Sequence, residues 1–399
     1  MYHLRATSGL LLGSLSFPAL ADSLPSTEEM WRMLKAQQAE IESLRAQLAD
    51  TTERVEDTVA QVQATAEVVD QQAREASHAG DTRIGGYGEL HYNNLDSGKE
   101  IDFHRFVLFF NHEFSEDIRL FSELEVEHSI AGDGQNGEVE LEQAFIEFDL
   151  KDGLSAKAGL FLLPIGILNE THEPTTFYGV ERNDVESIII PSTWWEAGGA
   201  LSGRAGTGFS WDLAVTSGLA IPSDGSSAFR VRSGRQKVSE ATAEDLAYTL
   251  RGRYTGVPGL ELAATVHWQS DADQAGGDLI DTGLLLSTHL IWSRGPFTLK
   301  ALWAGWEFEG DAIEAAGGDR QDGWYVEPSF KPVPNLGVYA RYEDVDGFRT
   351  ADGFSQWEVG MNWWPHEDVV LKVDYRDRNN DTDSGLDDKG FDIGIGYQF

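Results

Sequence analysis

Between Gly390 and Phe399 the chain alternates without exception. Phe391, Ile393, Ile395, Tyr397 and Phe399 are separated by Asp392, Gly394, Gly396 and Gln398. An extended backbone points successive side chains to opposite faces, so this stretch is a strand with one apolar face and one small or polar face. Residues 118–128 repeat the rhythm, with Ile118, Leu120, Leu124 and Val126 set against Arg119, Glu123, Glu125 and Glu127. Residues 369–378 do the same, with Val369, Leu371, Val373 and Tyr375 opposite Lys372, Asp374, Arg376 and Arg378. Three successive carboxylates on one strand face need water or partners. The apolar side must therefore meet lipid or a core.

Sixteen such segments can be marked out between 83–93 and 389–399, most of them long enough for a tilted strand to cross a bilayer. Their connections alternate between tight turns, such as Lys151-Asp152-Gly153, Gly295-Pro296 and Pro332 to Asn335, and longer acidic stretches. The longest are 164–193 and 219–244. A soluble β-sandwich has no reason to keep short and long connections in strict alternation, whereas an outer-membrane barrel has short periplasmic turns and long external loops. The expectation over 82–399 is thus all-β, a sixteen-stranded antiparallel transmembrane β-barrel around a water-filled lumen. Trp194, Trp195, Trp268, Trp292, Trp324, Trp357, Trp363, Trp364 and Tyr397 fall near strand ends, where amphipathic rings sit at headgroup level.

The N-terminal fifth reads differently. His3 and Arg5 precede an apolar run from Leu10 to Leu20, and Ala19-Leu20-Ala21 supplies a small-x-small cleavage pattern, so 1–21 read as a signal peptide. In 22–80, Leu34, Ile41, Leu48, Val55, Val62 and Val69 recur every seven residues, with no proline or glycine from Ser26 to Ala79. That repeat predicts a periplasmic coiled-coil helix joining several copies, or a single amphipathic helix lying on its own domain.

Lys+Arg total 30 against Asp+Glu 67, a net charge of −37, which excludes wrapping nucleic acid. Cysteine is absent, which removes disulfides and thiol chemistry. His172 with Glu170 and Glu173 imitates a metal cluster, but on a proline-containing loop without a second histidine. No nucleophile elbow is present, so the expectation is a non-enzyme with no cofactor and no metal.

Leu120-Phe121-Ser122-Glu123-Leu124-Glu125, the run from Glu140 to Phe148, Gly159 to Pro164 with Asn169 to Pro174, and Phe229 to Lys237 resemble the phosphate- and pyrophosphate-selective porins of proteobacterial outer membranes. The resemblance covers essentially 82–399. It implies a homotrimer in Gram-negative outer-membrane lipid and lipopolysaccharide, with a third long loop folded inward and phosphate-class anions passing along arginines and lysines. Arg230, Arg232, Arg235 and Lys237 match the family's cationic segment, whose implied role is anion recruitment. In an extended segment Arg230 and Arg232 would point the same way. An external loop pairing these cations with Glu240, Glu244 and Asp245 is the other reading. Arg251 and Arg253 share a strand face expected to be luminal, and Arg105 and Arg119 are weaker candidates of the same kind. The acid excess, with Glu123, Glu125 and Glu127 foremost, keeps open a general or cation-preferring porin that anchors the membrane through its coiled coil.

Overall fold

Strand β15 (Val369–Asn380) turns Leu371, Val373 and Tyr375 outward, 36%, 38% and 45% exposed, and buries Lys372 and Asp374 to 4% each. In a protein surrounded only by water that distribution would be upside down. In the computed structural model this strand belongs to sixteen antiparallel strands closed into one barrel, from β1 (Thr82–Leu95) to β16 (Asp388–Gln398), with apolar residues exposed around its outer face. The structure describes residues 82–277 and 279–399, together with Glu28, Trp31, Lys35 and Gln38, which are helical. The expected signal peptide and nearly all of the expected coiled coil lie outside the described residues.

Each strand pairs with its neighbours in sequence, and β1 closes the ring on β16 with Gly88 opposite Tyr397. Gly86 and Phe399 exchange both backbone hydrogen bonds there, at 3.0 and 2.9 Å. Closure leaves no edge strand unpaired, the condition for a sheet to stand in hydrocarbon. The apolar outer face is continuous enough that a charge on it should be costly. Val373→Arg is expected to lower barrel stability by about 2–4 kcal/mol if Val373 lies near the bilayer midplane. Denaturant titration of protein folded into liposomes measures this, with the same change at exposed Asp383 near zero as the control.

Tight turns occur at one rim, as expected. The strict alternation fails at the first external connection, which is a two-residue turn, Asp96-Ser97, between β1 and β2 (Gly98–Ser115). The cause is a cap from β16. Asp388 accepts hydrogen bonds from Ser97 N at 3.0 Å and Ser97 Oγ at 2.8 Å, and Asp96 N donates to Lys389 O. The hairpin therefore extends along β16 to its end instead of opening into a loop.

The aromatic expectation needs one correction. Trp268, Trp292, Trp303, Trp324, Trp357 and Trp363 are exposed on the barrel, but Trp194 and Trp195 are buried. Trp194 Nε1 donates to Glu196, and its ring packs on His267 and Trp306 inside the barrel.

What fills the interior is the third external connection, 163–194, between β5 (Leu154–Leu162) and β6 (Trp195–Ala205). Its apolar residues Ile165, Val185, Ile188, Ile189 and Ile190 join one buried cluster with Leu285, Leu302, Trp306, Tyr325, Val345 and Phe354 of the wall. Leu219, Ile221, Phe229 and Val231 of the fourth connection belong to the same cluster. The two inward connections and the wall thus share one apolar core inside the barrel.

Candidate pore constriction

The third connection is held inward by polar groups as well as by its apolar face. Buried Glu186 accepts from Ile167 N (2.5 Å), Leu168 N (2.7 Å), Asn183 Nδ2 (3.1 Å) and Tyr325 Oη (2.9 Å). Gly166 has φ +71°, and a Cβ there would sit 2.4 Å from Glu186 Oε1, so only glycine lets the carboxylate reach both amides. Asn169 ties the loop's two ends together, donating to Leu163 O and Trp194 O and accepting from Trp194 N. From the wall, Lys372 donates to Gly179 O (2.8 Å), Asp374 accepts from Val180 N (2.7 Å), and Glu343 accepts from Asp184 N (2.8 Å). Charged wall residues saturate the loop's backbone, as buried backbone groups require.

Between this loop and the wall lies a cavity of about 250 Å³. Glu89 and His91 of β1, Arg105 of β2 and Arg376 of β15 line it from the wall, Glu181 and Arg182 from the third connection, and Arg232 from the fourth. Four guanidiniums converge here, in two different states. Arg105 Nε lies 2.7 Å from Glu89 and its Nη1 3.4 Å from Glu125, and Arg376 Nε lies 3.1 Å from Asp392. Those two are neutralised. Among the described residues Arg182 Nη1 donates to Thr193 Oγ1 at 3.4 Å, and its buried Nε and Nη2 have no hydrogen-bond partner. Arg232 donates to the carbonyl oxygens of Ser187 (3.2 Å) and Ser192. Among the described residues no carboxylate forms a salt bridge with Arg182 or Arg232. Burial and the neighbouring Arg105 push the Arg182 pKa down, and burial with Arg235, Arg182 and Arg230 does the same to Arg232. Glu89 and Glu142 oppose the shift at Arg182 and Glu127 opposes it at Arg232, without reversing either.

The sequence-predicted site residues are scattered by the fold. Arg230 and Arg232 do not share an extended segment, because Val231–Gly234 is a 3-10 turn with Arg230 at its start. Burial of Val231 in the interior cluster winds the segment and sends Arg232 to the cavity. Arg230 is placed near Arg349 instead. Arg235 donates to Thr193 O and lies over the Trp195 ring. Lys237 pairs with Glu138 and Glu140 of the second external connection and β4 (Val139–Lys151), not with Glu240, Glu244 or Asp245. Arg251 is luminal but bound by Asp212 and Glu170. Arg253, near Ser210, and Arg119, bound by Glu147 and Asp149, lie toward the turn-bearing rim. Glu123 and Glu125 do face the lumen, and Glu125 partly cancels Arg105.

His172 does not meet Glu170 and Glu173 as a cluster. Its Nε2 faces Glu142 at 3.4 Å and Glu123 at 3.5 Å, while Glu170 is taken by Arg251. Asp271 folds its own loop, accepting from the amides of Asp273, Gln274 and Gly276. Sequence reasoning passed over Arg182 and Arg376. Arg182 stood in an acidic stretch, Glu181-Arg182-Asn183-Asp184, and its one available signal was its place inside the longest connection.

A family model described as phosphate-selective porin O and P matches residues 78–399. The chain belongs to that family. It is an outer-membrane porin, and its closed sixteen-stranded wall is the porin fold. An uncharacterized protein of Aquifex aeolicus (strain VF5) is 29% identical over 327 residues, covering 73% of this chain and 74% of that one. Among solved structures, the porin resembles the anion-selective porin from Comamonas acidovorans at 13% identity and TM-score 0.56, over 80% of this chain and 100% of that one. The in-vitro folded trimer form of OmpT from Vibrio cholerae is similar at 12% identity and TM-score 0.55, over 81% and 100%. The channel DcaP of Acinetobacter baumannii matches at 14% and 0.54, over 80% and 98%. At such identities the likeness is one of fold.

Proposed function

We propose that this porin passes phosphate-class anions through the cavity between the third connection and the wall, with Arg182 and Arg232 as the groups that receive the anion. The observation that carries this reading is that Arg182 and Arg232, unlike Arg105 and Arg376, have no carboxylate within salt-bridge distance among the described residues. A phosphate oxygen accepting from forked donors in a water-poor passage recovers much of what it loses on leaving bulk water. Arg105 and Arg376, held by carboxylates in the same cavity, supply a second step whose hold is weaker, so that the ion can leave. The chain's acid excess works at longer range, where salt screens it beyond about 8 Å.

The proposal extends to assembly. Removal of 1–21 leaves a periplasmic coiled coil over 22–80 whose seven-residue repeat joins several copies, and the family resemblance, with the trimer form of OmpT as a neighbour of like fold, favours three. The carboxylates of Glu89, Glu181 and Asp184 in the same cavity favour a second reading, a cation-preferring or general pore. Planar-bilayer recordings of the refolded protein decide between them. Anion-selective reversal potentials with phosphate blocking the chloride current at submillimolar concentration are expected. Cation-selective potentials would leave the second reading standing.

A further inference from the structure

Above the constriction, a second cavity of about 380 Å³ opens at the external end and shares His91, His104 and Glu181 with the first. Its wall carries a group unrelated to the arginines. Asp102 Oδ2 lies 2.8 Å from His128 Nδ1 and 3.2 Å from His104 Nδ1, and the three ligand atoms all fall within 4.8 Å of one another. We propose that Asp102, His104 and His128 form a binding site for a transition-metal dication of the zinc class at the external entrance of the pore.

The geometry suits such an ion. Tetrahedral bonds of about 2.0–2.1 Å place neighbouring ligand atoms about 3.3 Å apart, close to the two Asp102–imidazole separations already present. The donor set is two imidazole nitrogens and one carboxylate, which selects zinc, cobalt, nickel or copper over calcium or magnesium. Two strands converge to make it. Asp102 and His104 are alternate residues of β2, so they share a face, and His128 follows β3 (Ile118–Glu127) directly, with its backbone N donating to His104 O. The His104 ring is also stacked on His91, 4.7 Å between centroids and 14° between planes, which fixes its orientation. The side chains keep 16% to 34% of their surface exposed, so an ion can enter from the cavity and keep a water in its fourth position.

Among the described residues two other groups of this kind occur, and both are poorer. Glu123, Glu142 and His172 are fully buried, and the positive charges of Arg105 and Arg182 act on them. His366, Glu367 and Asp368 sit together in one turn and make a natural control. The site does not depend on the anion reading, because its ligands are not the arginines.

The test uses full-length protein without a histidine tag, refolded in detergent and titrated with Co2+. Expected is saturable visible absorption of a four- or five-coordinate site at one ion per chain, displaced by Zn2+. Affinity should fall at least tenfold in His128→Ala and in Asp102→Asn, and stay unchanged in His366→Ala and Glu142→Gln. Lack of saturable absorption in the wild-type protein, which needs no variant to fold, would overturn the proposal. So would binding lost in His366→Ala and kept in His128→Ala. In bilayers, micromolar Zn2+ added to the external side should shift the single-channel conductance, and the shift should vanish in His128→Ala.

Discussion

The double variant Arg182→Ala/Arg232→Ala should weaken phosphate block of the chloride current by about a hundredfold. A hydrogen bond to a charged group contributes about 1.5–3 kcal/mol, and each 1.4 kcal/mol is about tenfold in affinity. Loss of one such bond at each position gives the expected size. Arg119→Ala, whose guanidinium is occupied by Glu147 and Asp149, should leave the block unchanged. Arg105→Ala should fall between them, since its guanidinium is already engaged by Glu89 and Glu125 and its removal leaves Glu89 to His91 alone. Should the double variant retain wild-type block while Arg105→Ala abolishes it, the receiving groups are the neutralised arginines, and the argument from missing counter-ions fails.

Glu186→Ala should produce the largest change in the pore itself. Its carboxylate is the shared acceptor for two loop amides, an asparagine and a wall tyrosine, and all four donors are left in a buried place without it. Each orphaned donor costs about 1–3 kcal/mol. The third connection should detach from the wall, and single-channel conductance should rise severalfold with loss of phosphate block. The sixteen-stranded wall, held by its own ladders, should still migrate as a folded band on unheated gels. Unchanged conductance in a variant shown to be folded would mean that the hydrogen bonds from Lys372, Asp374, Glu343 and Trp306, with the apolar contacts of Ile188 to Ile190, keep the loop inside without Glu186.

These two outcomes depend on features of unequal legibility. The wall could be read because a period of two is a local property. Leu371, Val373 and Tyr375 alternate with Lys372 and Asp374 whatever the rest of the chain does. The turns could be read for the same reason, except at Asp96-Ser97, where the deciding cap comes from Asp388 at the far end of the chain. The constriction could not. Whether Arg232 faces water, a carboxylate or another loop is set by the burial of Val231 against residues drawn from several strands. The arginine-rich segment pointed to one contributor, Arg232, yet its extended geometry was wrong because the spacing of charges says nothing about a 3-10 turn forced by apolar neighbours. Arg182 left almost no trace, since its importance lies in what is missing around it.

The inward loop has a mechanical consequence. Lys372, Asp374, Glu343, Tyr325 and Trp306 grip it from four staves of the wall. It therefore acts as a strut across the cylinder, and squeezing by the surrounding lipid would have to compress a packed interior before it could flatten the tube. The bore is then set by the brace and not by the membrane around it.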